Sequence, residues 1–146
     1  MRRLTLGLTL ILGASGLGSQ PAPGNAIRVD VDGFHSGKGQ AVCALYASAD
    51  GFAKDGSKAR AQIRSAISNG HGICEFAGIP AGDYAVSVFH DENANGKLDT
   101  NLLGIPREGV GASNNAAGHF GPPKFEDAAF AFKGGRLDVK ITLRYL

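Results

Sequence analysis

Tryptophan is absent from the 146-residue chain, methionine occurs only at position 1 and cysteine only twice. Two cysteines without a neighbouring histidine do not make a zinc site, and no C-x-x-C redox motif is present. Charge of one sign is also scarce. The net charge is +2, and Arg2 and Arg3 account for it. Without a basic cluster the chain is a poor nucleic-acid binder, because phosphate contacts dominate that affinity. No apolar run is long enough to span a bilayer in the mature chain, and no basic amphipathic stretch suggests a membrane surface. A P-loop lysine, a G-x-S-x-G elbow and internal repeats are all missing. Helical periodicity is missing as well.

Glycine, in contrast, is abundant at 22 residues, without a collagen period. That predicts many turns and short strands. The length predicts one domain. A 43% hydrophobic and 19% charged composition supplies a packed core.

The first 26 residues read as a secretory signal peptide. Met1, Arg2 and Arg3 form a positive start, residues 4–12 (LTLGLTLIL) an apolar run, and residues 13–26 a small, uncharged tail. Cleavage after Gly16, Ser19 or Ala26 is compatible with this layout. The expected mature domain is 27–146, periplasmic or secreted. In an oxidising compartment Cys43 and Cys74 are expected to form a disulfide. Such a link is worth roughly 3–4 kcal/mol in the loop-entropy model.

Period-two alternation marks the strands. Ile27, Val29 and Val31 alternate with charged residues. Residues 40–47 are apolar on both faces and read as a central strand. Residues 61–68 alternate, Asn69-Gly70 is a turn signal, and residues 73–76 follow with Cys74. The run F-A-G-I-P-A-G-D-Y-A-V-S-V (76–88) resembles a hairpin of prealbumin-like and carboxypeptidase-regulatory-like β-sandwiches. Residues 91–124 read as one long loop, 125–132 as a short strand, and 137–145 as the clearest amphipathic strand. The expected fold is all-β: an Ig-like or prealbumin-like antiparallel β-sandwich of about seven strands.

The long loop opens with H-D-E-N-A-N-G-K-L-D-T-N. Its D-x-N-x-N-G-x-x-D spacing is that of short calcium loops. Asp91, Asn93 and Asn95 would offer side-chain oxygens at positions 1, 3 and 5. Gly96 would make the sharp turn, the Lys97 carbonyl would serve at position 7, and Asp99 at position 9. Leu98 would turn inward. Position 12, where an EF-hand carries glutamate, is Leu102, and no helix signal flanks the loop. Glu92, Glu108, Glu126 or Asp127 could complete the shell. So few carboxylates predict weak Ca²⁺ binding, on the order of 10⁻⁴–10⁻³ M. A plain Asx-bonded turn without metal is the competing reading. A hydrolase built on His90, Asp91 and Ser113, with Glu108 as a further candidate, is a third reading. His35, His71 and His119 lack ligand spacing and read as surface or loop histidines.

Three longer motifs occur in sequence: the one at 90–101, L-G-I-P-R-E-G-V-G-A-S-N-N-A (103–116) and G-P-P-K-F-E-D-A-A-F (121–130). Together they resemble the signature of an uncharacterised bacterial family of exported proteins, domain of unknown function 2141. The resemblance covers residues 27–145. Val110 and Ala112 stand where an aromatic is more usual, which weakens any aromatic stacking surface there. The resemblance implies an exported β domain and brings no activity, substrate or catalytic residues. The expectation is therefore a non-enzymatic module. A Ca²⁺-stabilised loop would shape a surface for a protein or glycan ligand. The segments 91–101, 104–115 and 122–127 are expected to fold over one another at one end of the sandwich.

Overall fold

The computed structural model describes residues 24–146. Residues 1–23 of the expected signal peptide lie outside the described residues. Ala26, expected as the last leader residue, is the first residue of a strand and is buried.

The described strands are β1 (Ala26–Asp32), β2 (Gln40–Tyr46), β3 (Ala61–Ser68), β4 (His71–Ala77), β5 (Gly82–Asp91), β6 (Val110–Ala112), β7 (Phe130–Phe132) and β8 (Arg136–Thr142). A single helical turn, α1 (Phe125–Ala128), precedes β7. The protein is all-β, as expected. Strand order is β6-β5-β2-β3-β4-β1-β8, with β7 also on β5.

β3 turns the corner between two layers. Its residues Ala61 to Ala66 pair with β2, whereas Ile67 and Ser68 pair with β4. Where β3 and β4 part, the Ser65 hydroxyl accepts the Ile73 N–H at 3.2 Å, so the freed donor is not left bare. At the opposite side Val110 and Arg144 exchange two backbone hydrogen bonds of 2.8 Å. The sheet thus closes on itself into a flattened barrel, and β1 lies covered between β4 and β8.

Four sequence expectations need correction. Strand pairing is antiparallel throughout except β1–β8, which is parallel. The chain passes from β7, on the β5 layer, across to the β1 layer before β8 begins, and such a crossover permits parallel pairing. The 76–88 run is not a hairpin: β4 and β5 pair with different neighbours, so the run is a corner between layers. The Tyr84 hydroxyl pins this corner by donating to the Pro80 carbonyl at 2.7 Å, as in the tyrosine corner of β-sandwiches. Finally, the 125–132 stretch begins as α1, and the supposed loop of 91–124 contains β6. Three residues, the middle one Gly111, carry too little pattern to reveal a strand.

Between the layers Ile27, Val29, Val31, Leu45, Phe76, Val86, Val88 and Ile141 form the main core. Each comes from one face of an alternating strand. Cys43 and Cys74 are disulfide-bonded (S–S 2.06 Å) and tie β2 to β4 within it. A second cluster covers the outer face of β2 and β5. There Ala44, Tyr46 and Ala85 meet Phe52, Ala112, Ala128 and Phe125. This second layer of burial is why residues 40–46 are apolar on both faces.

Candidate functional site

β5 delivers two polar residues in a row, His90 and Asp91, to one end of the barrel. His90 continues the core face of Tyr84, Val86 and Val88, while Asp91 continues the opposite face. Both are fully buried. Burial of a carboxylate requires donors, and Asp91 has three. Oδ2 accepts Gly96 N–H and Gln40 Nε2, both at 2.8 Å, and Oδ1 accepts Asn95 N–H at 3.1 Å. Gly96 has φ +77°, which a side chain would resist.

The loop beyond Asp91 folds as consecutive Asx turns. Asn93 Oδ1 accepts Asn95 N–H at 3.3 Å, and Asn95 Oδ1 accepts Lys97 N–H at 2.9 Å. The Asn93 amide donates to Asp99 Oδ2 at 2.7 Å, and the Asn95 amide to Asp99 Oδ1 at 3.0 Å. These amides, Asn95 first and Asn93 second, hold the Asp99 carboxyl below the usual aspartate range. The structure therefore brings Asn93, Asn95 and Asp99 together, with Asp91 beneath them as the anchor. Lys97 enters through its backbone. Leu98 is half-buried but belongs to neither core cluster.

Glu108 closes the loop. It is buried, and its two oxygens accept the N–H groups of Glu92 (2.7 Å) and Asp99 (2.9 Å). One carboxylate thus clamps both ends of the turn. Glu92, Asn93, Asp99, Thr100, Arg107 and Glu108 line an open polar cleft of about 430 Å³. Beyond it, residues 99–107 form a small tip, with Arg107 N–H bonded to the Asp99 carbonyl and Asn101 N–H to the Ile105 carbonyl. Leu102, Leu103 and Ile105 are exposed on this tip.

The hydrolase constellation does not assemble. Ser113 Oγ donates to the Ala128 carbonyl at 2.6 Å and accepts Val86 N–H at 2.9 Å. It cross-links α1 to β5, while His90 and Asp91 take other partners. Glu126 and Asp127 also lie away from the loop. They sit on α1, beside Asn114, whose amide donates to the Asp127 and Ala129 carbonyls. The three segments expected to share one end therefore divide. Residues 91–109 sit at the Asp91 end of β5, and 113–129 cover its outer face.

Sequence reasoning missed a second group at the Asp91 end. His35 joins His90, Glu92 and Tyr145 there, so it is not an isolated loop histidine. His90 Nε2 lies 2.7 Å from the Lys38 carbonyl, and His90 Nδ1 lies 2.9 Å from the Tyr145 hydroxyl. The hydroxyl also accepts His35 N–H at 3.1 Å. The His35 ring stacks on Tyr145 with centroids 3.9 Å apart, and Phe34 meets the His90 ring edge-on. Glu92 forms an ion pair with His35 and lies 3.4 Å from His90 Nδ1. Burial is the main reason the Tyr145 hydroxyl titrates above its ordinary range. Gly39 makes the approach possible: its φ is +69°, and a Cβ there would sit 1.9 Å from the Asp91 carbonyl oxygen. The available sequence signal was His90 and Tyr145 each ending an alternating core face. Their meeting across 55 positions was not readable.

Fold and site together define a small disulfide-stapled β domain with a structured acidic loop at one end of a closed sheet. The family model described as "Uncharacterized protein conserved in bacteria (DUF2141)" matches residues 29–140. The chain belongs to this family. No curated protein and no solved structure matches it.

Proposed function

We propose that the protein is an exported, non-enzymatic binding module whose 91–99 loop is stabilised by Ca²⁺. The observation that carries this reading is the convergence of Asn93 and Asn95 on Asp99 above the anchored Asp91. Turning the two amides over would direct their oxygens toward the same centre, in exchange for the Asx bonds to the Asn95 and Lys97 N–H groups. The oxygens needed by a hard cation are then supplied by Asn93, Asn95, Asp99 and Asp91. The ion would brace the 99–107 tip, whose Leu102, Leu103 and Ile105 suit an apolar groove on a protein partner. A glycan platform would call for aromatic rings, and residues 102–105 carry none. Export is supported by the Cys43–Cys74 disulfide together with the charged and apolar start of the sequence. No helix among the described residues is long and apolar enough to cross a membrane.

A second reading has its own support: a structural envelope module with no ion. The Asn93 and Asn95 amides already donate to Asp99, and Arg107 adds positive charge nearby. Thermal melts with Ca²⁺ and with EDTA separate the two. With a Kd of about 1 mM, about 10 mM Ca²⁺ stabilises the fold by about 1.4 kcal/mol. Asp99→Asn removes that gain. An unchanged melting temperature of the wild type in Ca²⁺ and in EDTA would leave the metal-free reading.

A further inference from the structure

His35, His90 and Glu92 come from two separate segments and meet at the open end of the barrel. The three ligand atoms His35 Nε2, His90 Nδ1 and Glu92 Oε1 all lie within 4.8 Å of one another. We propose that they form a site for a divalent transition-metal ion of the zinc class. This site does not depend on the calcium reading of the neighbouring loop.

Four features support it. First, the chemistry of the donors is right: two imidazoles and one carboxylate suit Zn²⁺, and three protein ligands leave a position for water or an external donor. Second, the tautomer of His90 is determined. A backbone carbonyl only accepts, so Nε2 carries the proton given to the Lys38 carbonyl. Nδ1 therefore carries the lone pair; it accepts the Tyr145 hydroxyl at 2.9 Å, and a metal ion would displace that hydrogen bond. A ring N–H donated to a carbonyl is the support that metal-binding histidines ordinarily have. Third, Glu92 Oε1 is shielded from solvent and its close polar partner is His35 Nε2, with which it forms an ion pair. A buried carboxylate oxygen in that condition is costly unless something positive meets it. His35 meets it as an ion pair when protonated, and a metal ion would serve both groups at once. Fourth, the spacing fits. Ligands about 2.0–2.2 Å from a tetrahedral ion stand roughly 3.4 Å apart, and His90 Nδ1 is 3.4 Å from Glu92 Oε1. His35 is half-exposed and stacked on Tyr145, with Nε2 closer to Glu92 than two ligands of one ion stand, so its ring would turn outward to reach the same spacing. The Tyr145 hydroxyl borders the site at 2.9 Å from His90 Nδ1.

The test is a Zn²⁺ titration of the full mature chain, by calorimetry and by NMR of the histidine ring nitrogens. One equivalent of Zn²⁺ is expected to bind. His35→Gln and Glu92→Gln are each expected to weaken it at least about tenfold, and His71→Gln, a surface control beside Asp30, to leave it unchanged. In the wild type, the His90 Nδ1 and His35 Nε2 resonances should move on saturation. This second readout stands even if a variant folds poorly. No binding, equal affinity in all three variants, or shifts confined to His71 and His119 would overturn the proposal.

Discussion

At the Tyr84 end of β5, side chains enter an apolar core crossed by a disulfide. At the Asp91 end, the same strand runs into a turn held by Asx bonds and by hydrogen bonds to three carboxylates, those of Asp91, Asp99 and Glu108. The first end owes its stability to burial, which is indifferent to ions and weakly dependent on pH. The second buries little apolar area and depends on ionised oxygens. One strand thus joins a rigid scaffold to a segment whose order depends on ionised oxygens, and on the function proposed above that segment is the binding loop.

The largest expected effect lies in the scaffold. Replacing both cysteines, Cys43→Ala with Cys74→Ala, should lower unfolding free energy by about 3–4 kcal/mol, measured by urea denaturation. A much smaller loss would mean that the link does not constrain the unfolded chain as its separation of 31 residues implies. Next is the clamp. Glu108→Ala leaves the N–H groups of Glu92 and Asp99 without their acceptor and should cost about 2 kcal/mol. Hydrogen exchange should speed up at those two amides and not in β2. Uniform acceleration would show that loop and scaffold open as one unit, with no difference in stability between the two ends.

Acid should sharpen the contrast with the smallest effect. Asp99 titrates below its ordinary value, so its contribution to loop order is present above the unfolded pKa. It is lost as pH falls through the lower folded value. The side-chain amide resonances of Asn93 and Asn95 should therefore move together in the low carboxylate range, while signals from Val86 and Leu45 stay still. Asp99→Asn should abolish that transition. Its persistence in the variant would assign it to another carboxylate.

Much of this molecule is written locally. Alternation at Ile27, Val29 and Val31 and at Leu137, Val139 and Ile141 places strands and their buried faces, because a strand with one buried face must repeat every two residues. Asn69-Gly70 specifies its turn because both residues take positive φ. The oxygen spacing of 91–99 specifies the loop, since Asx turns need only neighbours two residues away. Other features depend on partners far along the chain and leave no periodic trace. The parallel pairing of β1 with β8, the closure through Val110 and Arg144, and the clamp by Glu108 are of this kind. So is the meeting of His35, His90, Glu92 and Tyr145. Sequence alone determined the long alternating strands, the Asn69-Gly70 turn and the composition of the loop. Only the closed sheet decided which distant side chains face one another at its end, because that depends on how the layers close in space.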